Sequence, residues 1–140
     1  MSSAPGQPTA HKWVLVVDDD AAVRTVWVEA LTEGGYTAVG CRDGAEAAEL
    51  IGDLFPDLIV LDLRMRGASG WHLLRVIGAN PNWHRIPVLI VSGYLAEEPD
   101  LDPAAHAGAN IVGRMAKPLG GPELLAKVEE LIGPPARPGA

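Results

Sequence analysis

The sequence lacks the features that are typical of disulfide-bonded, membrane-spanning and secreted proteins. Its 140 residues contain a single cysteine, Cys41, so no internal disulfide can form, and its place at the end of an apolar stretch favours a buried thiol. No apolar run approaches the roughly 18 residues that a membrane-spanning helix needs. The first residues, "MSSAPGQPTAHK", lack the apolar centre of a signal peptide. We therefore expect a cytoplasmic protein that does not contact a membrane.

Basic residues are also in the minority. The chain has 11 Lys and Arg against 18 Asp and Glu, which gives a net charge of -7, and no basic run stands out. Because nucleic-acid interfaces are built from clustered Lys and Arg, we expect no direct DNA binding. The length and a hydrophobic content of 48% fit one soluble globular domain with a sizeable core.

Apolar runs alternate with helix-period segments along the chain. Residues 1–11 and 134–140 are rich in small residues and proline and are predicted to be unstructured, which leaves one domain over residues 12–133. Four apolar runs and one weaker run predict strands: "WVLVV", "YTAVGC", "DLIVLD", "IPVLIVS" and "NIVGRMA". The fold class is therefore α/β, with a doubly wound parallel sheet of five strands.

The helices are predicted from apolar spacing and from end signals. Asp43 and Glu46 form a capping box for the second helix, and Ser69 is predicted to begin the third. Two prolines restrict the fourth helix to about residues 103–107, whereas the last helix has a proline in its first turn. The first helix should turn these residues toward the core: Val23, Val26, Trp27, Ala30 and Leu31.

Polar side chains follow the predicted strands at their carboxyl ends. Asp18 and Asp19 follow the first strand, Asp62 the third, Ser92 the fourth and Lys117 the fifth. In a parallel sheet these ends share one edge, where open α/β folds bind their ligands. The sequence therefore predicts that three carboxylates, a hydroxyl and an ammonium converge in one cleft.

This set of groups has a plain chemical use. Three adjacent carboxylates cannot all stay ionised without a cation, and oxygen ligands of this kind suit Mg²⁺. One carboxylate can then act as a nucleophile toward a phosphoryl group. The metal, a lysine and a hydroxyl can each stabilise an oxygen of the transferring group.

The motifs "VVDDD", "IVLDLRM", "VLIVSGY" and "MAKPL", in this order, resemble those of a response-regulator receiver domain of two-component or phosphorelay signalling. The resemblance covers about residues 12–133 and implies a flavodoxin-like sheet with the order 2-1-3-4-5, which is taken from the family. It implies that Asp62 accepts a phosphoryl group from a histidine kinase or a histidine phosphotransfer protein. It also implies that Ser92 and Lys117 contact the phosphoryl group. The Mg²⁺ ion would be surrounded by four other groups: the carboxylates of Asp18, Asp19 and Asp62 and the backbone carbonyl of Arg64.

Several positions depart from the family pattern. The usual Met-Pro is Met65-Arg66 here, and the usual Asp-Gly is Ser69-Gly70. From Gly108 to Lys117 the chain is two residues longer than the common spacing, and Arg114 occupies the place of a frequent aromatic switch residue. Since burial of an arginine without an acidic partner is costly, we expect Arg114 to stay partly exposed in both states.

Simpler explanations exist for each residue alone. Asp20 could be a helix N-cap, with Asp18 and Asp19 stabilised by the helix dipole rather than by a metal. Asp62 could be an ordinary strand-end carboxylate, and Ser92-Gly93 an ordinary turn. Only the joint occurrence of these residues, each at its expected strand end, favours the receiver interpretation.

Three functions are compatible with these features. The first is a stand-alone receiver that catalyses its own phosphorylation and dephosphorylation, with an unknown downstream target, as a monomer or a phosphorylation-dependent homodimer. The second is a degenerate, non-phosphorylated binding module of the same fold. The third is an aspartate-nucleophile phosphatase with Asp18-x-Asp20 as its D-x-D pair, but Ala22 replaces the expected Thr or Val and the chain lacks room for a cap domain.

Overall fold

The computed structural model describes residues 11–63, 70–93 and 108–137. Five parallel strands form one sheet in the order β2-β1-β3-β4-β5, the order that the family resemblance predicts. The strands are β1 (Trp13–Val17), β2 (Thr37–Cys41), β3 (Leu58–Leu61), β4 (Pro87–Ser92) and β5 (Asn110–Ala116). All five predicted strands are present, and the fifth has the bounds of "NIVGRMA".

Helices cover both faces of the sheet. They are α1 (Ala21–Glu33), α2 (Gly44–Leu54), α3 (Gly70–Ala79) and α4 (Gly121–Ile132). Helix α1 packs on α4 over one face, and α2 packs beside α3 over the other. The fourth helix predicted at residues 103–107 and the predicted helix start at Ser69 lie outside the described residues. No helix of the described ranges has both the length and the apolar character to cross a membrane.

Two aspartates fix where the first helices begin. The Asp20 carboxylate accepts the backbone N–H groups of Ala22 and Val23 at 2.9 and 3.2 Å. The Asp43 carboxylate accepts the N–H of Glu46 at 2.9 Å, as the capping box predicts. Each bond satisfies an N–H group that has no partner inside the helix. The local sequence therefore determines both helix starts.

The core has two layers, one on each face of the sheet. Strands β3 and β4 are buried on both sides, which explains their continuous apolar runs. Trp27 and Cys41 are each 1% exposed, which confirms that both belong to the core. The inward prediction for Val26 is wrong, because this side chain is 50% exposed. The Val26 side chain borders a groove between α1 and α4. Gly121 lies next to Val26 but has no side chain that could cover it.

Strand β5 contains a bulge. Val88 pairs with Ile111 but Leu89 pairs with Gly113, so Val112 is an extra residue opposite β4. The bulge accommodates one of the two additional residues that precede Lys117. Arg114, on the same edge strand, is exposed in this structure.

The chain beyond α4 contacts the amino-terminal edge of the sheet. The backbone N–H of Lys12 donates to the carbonyl of Pro135 at 2.8 Å, and His11 forms an antiparallel bridge with Ala136. The Arg137 guanidinium binds both oxygens of Asp57 at 2.9 and 2.7 Å. His11 and residues 135–137 therefore make defined contacts, although the sequence predicts unstructured ends, and residues 1–10 and 138–140 lie outside the described residues. Composition marks these residues as irregular, but it cannot reveal partners distant in sequence.

Candidate functional site

The register of the central strands brings two aspartates together. Val17 of β1 pairs with Leu61 of β3, so the next residues, Asp18 and Asp62, lie side by side at the carboxyl edge. The backbone N–H of Asp62 donates to the carbonyl of Val17 at 3.0 Å. The N–H of Asp18 donates to the carbonyl of Cys41 at 3.1 Å. Both carboxylates are therefore carried on hydrogen-bonded strand ends.

Three carboxylates form a cluster at this edge. Asp18, Asp19 and Asp62 each offer an oxygen, and these oxygens all lie within 4.8 Å of one another. Asp18 is fully buried and Asp62 is 4% exposed, whereas Asp19 is partly exposed. Oxygen donors at these separations fit one small, hard cation such as Mg²⁺.

The helix-cap interpretation holds for Asp20, whereas the structure groups Asp18 and Asp19 with Asp62. Asp20 caps α1, and its backbone N–H donates to the Asp18 carboxylate at 2.9 Å. Asp18 and Asp19, by contrast, share the cluster with Asp62. The "DDD" run thus contains two cluster residues followed by one capping residue.

Lys117 brings a positive charge into direct contact with the carboxylates. Its Nζ lies 2.6 Å from Asp18 Oδ2 and 3.2 Å from Asp62 Oδ2, and its side chain is 22% exposed. Burial by itself would lower the pKa of Lys117, but the hydrogen bond and charge of Asp18, with those of Asp62, raise it overall. The ammonium is therefore charged at neutral pH and compensates the two buried carboxylates.

Ser92 lies at the end of β4, beside the last residue of β5. It is fully buried and pairs with Ala116, and its carbonyl accepts the N–H of Lys117 at 3.1 Å. This pairing places Ser92 and Lys117 on the same edge as the carboxylates. Arg64 lies outside the described residues, so the structure does not place its carbonyl.

Sequence reasoning missed three residues that shape this site. Arg24 Nη1 donates to the Asp18 carbonyl at 2.8 Å, and the Trp27 ring lies 5.7 Å from Lys117 Nζ. A Cβ added to Gly70 would lie 2.1 Å from the Asp62 carbonyl oxygen. The spacing of Arg24 and Trp27 on α1 was a usable signal, because residues three apart share a helix face. The sequence shows a glycine at position 70, but it does not show which part of the backbone this glycine approaches.

Residues 14–129 match the family model of the response regulator receiver domain. The chain belongs to the response-regulator receiver family. It is thus a receiver domain of two-component systems, and its aspartate cluster lies at the phosphorylation site of that family. The fold and the family predicted from the sequence are confirmed.

Curated relatives support this membership and are longer proteins. The receiver domain is 32% identical over 123 residues to the regulatory protein VirG of Agrobacterium tumefaciens, covering 88% of this chain and 43% of VirG. It is 39% identical over 137 residues to protein-glutamate methylesterase/protein-glutamine glutaminase 5 of Myxococcus xanthus, covering 89% of this chain and 38% of that protein. The chain therefore spans less than half the length of these relatives.

Solved structures show the same fold. The chemotaxis protein CheY4 of Vibrio cholerae superposes with a TM-score of 0.77 at 24% identity, covering 87% of this chain and 99% of CheY4. The receiver domain of the sensor histidine kinase PA1611 of Pseudomonas aeruginosa PAO1 gives a TM-score of 0.72 at 26% identity, covering 89% and 99%. That structure contains a magnesium ion coordinated in its active-site cleft. The Asp18, Asp19 and Asp62 cluster fits a metal site of this kind.

Proposed function

We propose that this receiver domain accepts a phosphoryl group on Asp62 from the phosphohistidine of a histidine kinase or a histidine phosphotransfer protein. The supporting observation is the environment of Asp62. Its carboxylate is 4% exposed, belongs to the three-carboxylate cluster and lies 3.2 Å from the Lys117 ammonium. A nucleophilic carboxylate beside a cation site and a lysine is the arrangement that phosphoryl transfer to an aspartate needs.

In the proposed step, a carboxylate oxygen of Asp62 bonds to phosphorus while the phosphorus–nitrogen bond of the donor breaks. The electron pair of that bond returns to the imidazole, which leaves as the neutral ring once it holds one proton. The Lys117 ammonium stabilises negative charge on the transferred oxygens, and the Ser92 hydroxyl donates a further hydrogen bond. Bound Mg²⁺, held by Asp18, Asp19, Asp62 and the Arg64 carbonyl, would supply additional positive charge.

Lys117 can serve this step after a small movement. In this structure its Nζ is closer to Asp18, at 2.6 Å, than to Asp62, at 3.2 Å. The Lys117 ammonium would be free to leave Asp18 if a bound cation compensated the charge of that carboxylate. The ammonium would then be available to an aspartyl phosphate at position 62.

The acceptor assignment is tested by intact mass after incubation with acetyl phosphate and Mg²⁺. The wild-type protein should gain one phosphoryl group, and Asp62→Ala should gain none. Asp53→Ala is the matched control, because Asp53 is exposed on α2. Unchanged labelling of Asp62→Ala would overturn the assignment. A wild-type protein that no donor labels would instead be a non-phosphorylated binding module.

The metal assignment is tested by calorimetric titration with Mg²⁺. Asp19→Asn should weaken binding, because it removes one of the clustered carboxylates. Asp20→Asn is the control, since asparagine caps a helix about as well as aspartate and Asp20 only caps α1. Equal affinities for the two variants would show that the aspartate run serves the helix start alone.

We place this function in the cytoplasm, with output by protein contact or onward phosphotransfer. The protein would act as a monomer or as a homodimer that forms on phosphorylation. Sedimentation with and without beryllofluoride, which mimics the phosphoryl group, distinguishes the two forms. A mass that doubles only with beryllofluoride would identify the homodimer.

A further inference from the structure

Trp27 connects α1 to the loop that carries Lys117. Its side chain is 1% exposed and belongs to the core between α1, α4 and the sheet. The indole Nε1–H donates to the carbonyl of Leu119 at 2.9 Å, and Lys117 Nζ lies 5.7 Å from the ring centroid. Trp27 therefore contacts the loop at two points, one polar and one through its ring.

The loop between β5 and α4 is held at two places, and the start of α4 fixes its far end. The N–H of Lys117 donates to the Ser92 carbonyl at its start. Directly after the loop, Gly121, the first residue of α4, packs so closely on α1 that an added Cβ would lie 2.7 Å from the Cβ of Ala30. The Trp27 indole binds the carbonyl of Leu119 between these two points. The position of the Lys117 side chain thus depends on contacts from α1.

We propose that Trp27 is a positioning residue for Lys117, and that its indole holds the loop and the ammonium in place for phosphoryl transfer. This inference rests on the proposed function of the site. Packing alone does not explain a tryptophan here, because a leucine or phenylalanine fills a core without a polar atom. A buried indole N–H needs an acceptor, and the Leu119 carbonyl provides it. The ring face also attracts a cation within about 6 Å of its centroid.

The primary test is the rate of phosphorylation by acetyl phosphate, followed by intact mass at fixed Mg²⁺. Trp27→Phe keeps an aromatic ring but removes the N–H donor, and it should react about fivefold more slowly, the factor that one lost hydrogen bond typically gives. Tyr36→Phe is the matched control. The buried Tyr36 hydroxyl donates to the carbonyl of Gly133, at the opposite edge of the sheet, so its loss should leave the rate unchanged.

A double-mutant cycle separates positioning from general packing. If Trp27 acts through Lys117, then Trp27→Phe should cause no further slowing in a Lys117→Ala protein. The rates are compared at saturating Mg²⁺, so that a change in Mg²⁺ affinity does not enter the comparison. If Trp27→Phe does not fold, β-(3-benzothienyl)alanine at position 27 preserves the ring shape without the N–H. An unchanged rate in either variant, or equal slowing with and without Lys117, would overturn the inference.

A second measurement does not depend on phosphorylation. The ¹⁵N signal of a lysine ammonium is observable when hydrogen bonds hold it in place, and Lys117 makes two such bonds. Trp27→Phe should broaden this signal, whereas Tyr36→Phe should not. If the wild-type protein takes up no phosphoryl group, the proposed function fails. The Lys117 signal then tests by itself whether Trp27 holds the ammonium in place. An unchanged Lys117 signal in Trp27→Phe would then overturn the inference.

Discussion

Replacement of Lys117 by methionine should destabilise the metal-free protein, although Lys117 belongs to the functional site. The ammonium lies 2.6 Å from Asp18 and 3.2 Å from Asp62, and these carboxylates are 0% and 4% exposed. Methionine preserves the length of the side chain but removes its charge. Two buried carboxylates would then face each other without the cation that compensates them.

The size of the effect follows from these distances. At an effective dielectric of about 20, the two contacts correspond to roughly 6 and 5 kcal/mol of Coulomb attraction before desolvation. Desolvation cancels much of this, and breaking a buried ion pair typically costs about 3–5 kcal/mol. Because the Lys117 side chain is 22% exposed, water restores part of the loss. We expect the free energy of unfolding to fall by about 2–3 kcal/mol at pH 7.

Urea unfolding with a metal chelator measures this change. Lys127→Met is the matched control, because Lys127 forms an exposed i,i+3 pair with Glu130 at 3.4 Å and should lose less than about 0.5 kcal/mol. Adding Mg²⁺ should restore part of the stability of Lys117→Met, since a bound cation replaces the missing charge. The pKa of Lys117 lies above its ordinary 10.5, so its contribution is fully present at pH 7 and is lost only as the pH rises through the raised value. If Lys117→Met loses no more stability than Lys127→Met, the reasoning is wrong.

Three further predictions concern other parts of the fold. Arg137→Gln should lower the free energy of unfolding by about 1 kcal/mol in urea, because it breaks the bidentate pair with Asp57; an equal loss in Arg42→Gln, whose partner is 3.8 Å away, would contradict this. Gly70→Ala should lower the free energy of unfolding by more than about 2 kcal/mol and displace Asp62, because the added Cβ has no room. Gly52→Ala, at an exposed position of α2, should raise it by about 0.5–1 kcal/mol. Similar urea midpoints for the two variants would refute the steric argument. Burial, followed by the charges of Glu46 and Asp43, raises the pKa of Cys41 to about 12, so the native thiol should resist Ellman's reagent at pH 8 and react in urea. Between pH 9.0 and about 12 the folded chain keeps the Cys41 proton that the unfolded chain loses, so the free energy of unfolding should fall with rising pH. Rapid reaction of the native protein with Ellman's reagent would disprove the burial of this thiol.

Elements with a local cause are predictable from the amino-acid sequence alone. Continuous apolar runs set β3 and β4, because a strand covered on both faces needs apolar side chains at every position. Asp43 set the start of α2 through a bond to an N–H three residues away. The convergence of Asp18 and Asp62 also followed from the sequence, since parallel strands place their carboxyl ends on one edge.

Contacts between residues far apart in the sequence depend instead on the packing of the whole fold. The Trp27 indole and the Leu119 carbonyl are 92 residues apart, and Asp57 and Arg137 are 80 apart. Helix periodicity predicted Val26 on the inner face of α1. In the folded chain Val26 faces the start of α4 at Gly121, and its side chain borders an open groove. Periodicity and capping act within a few residues, whereas these contacts depend on how whole helices and strand ends pack. The same packing decides that the Lys117 ammonium lies nearer to Asp18 than to Asp62.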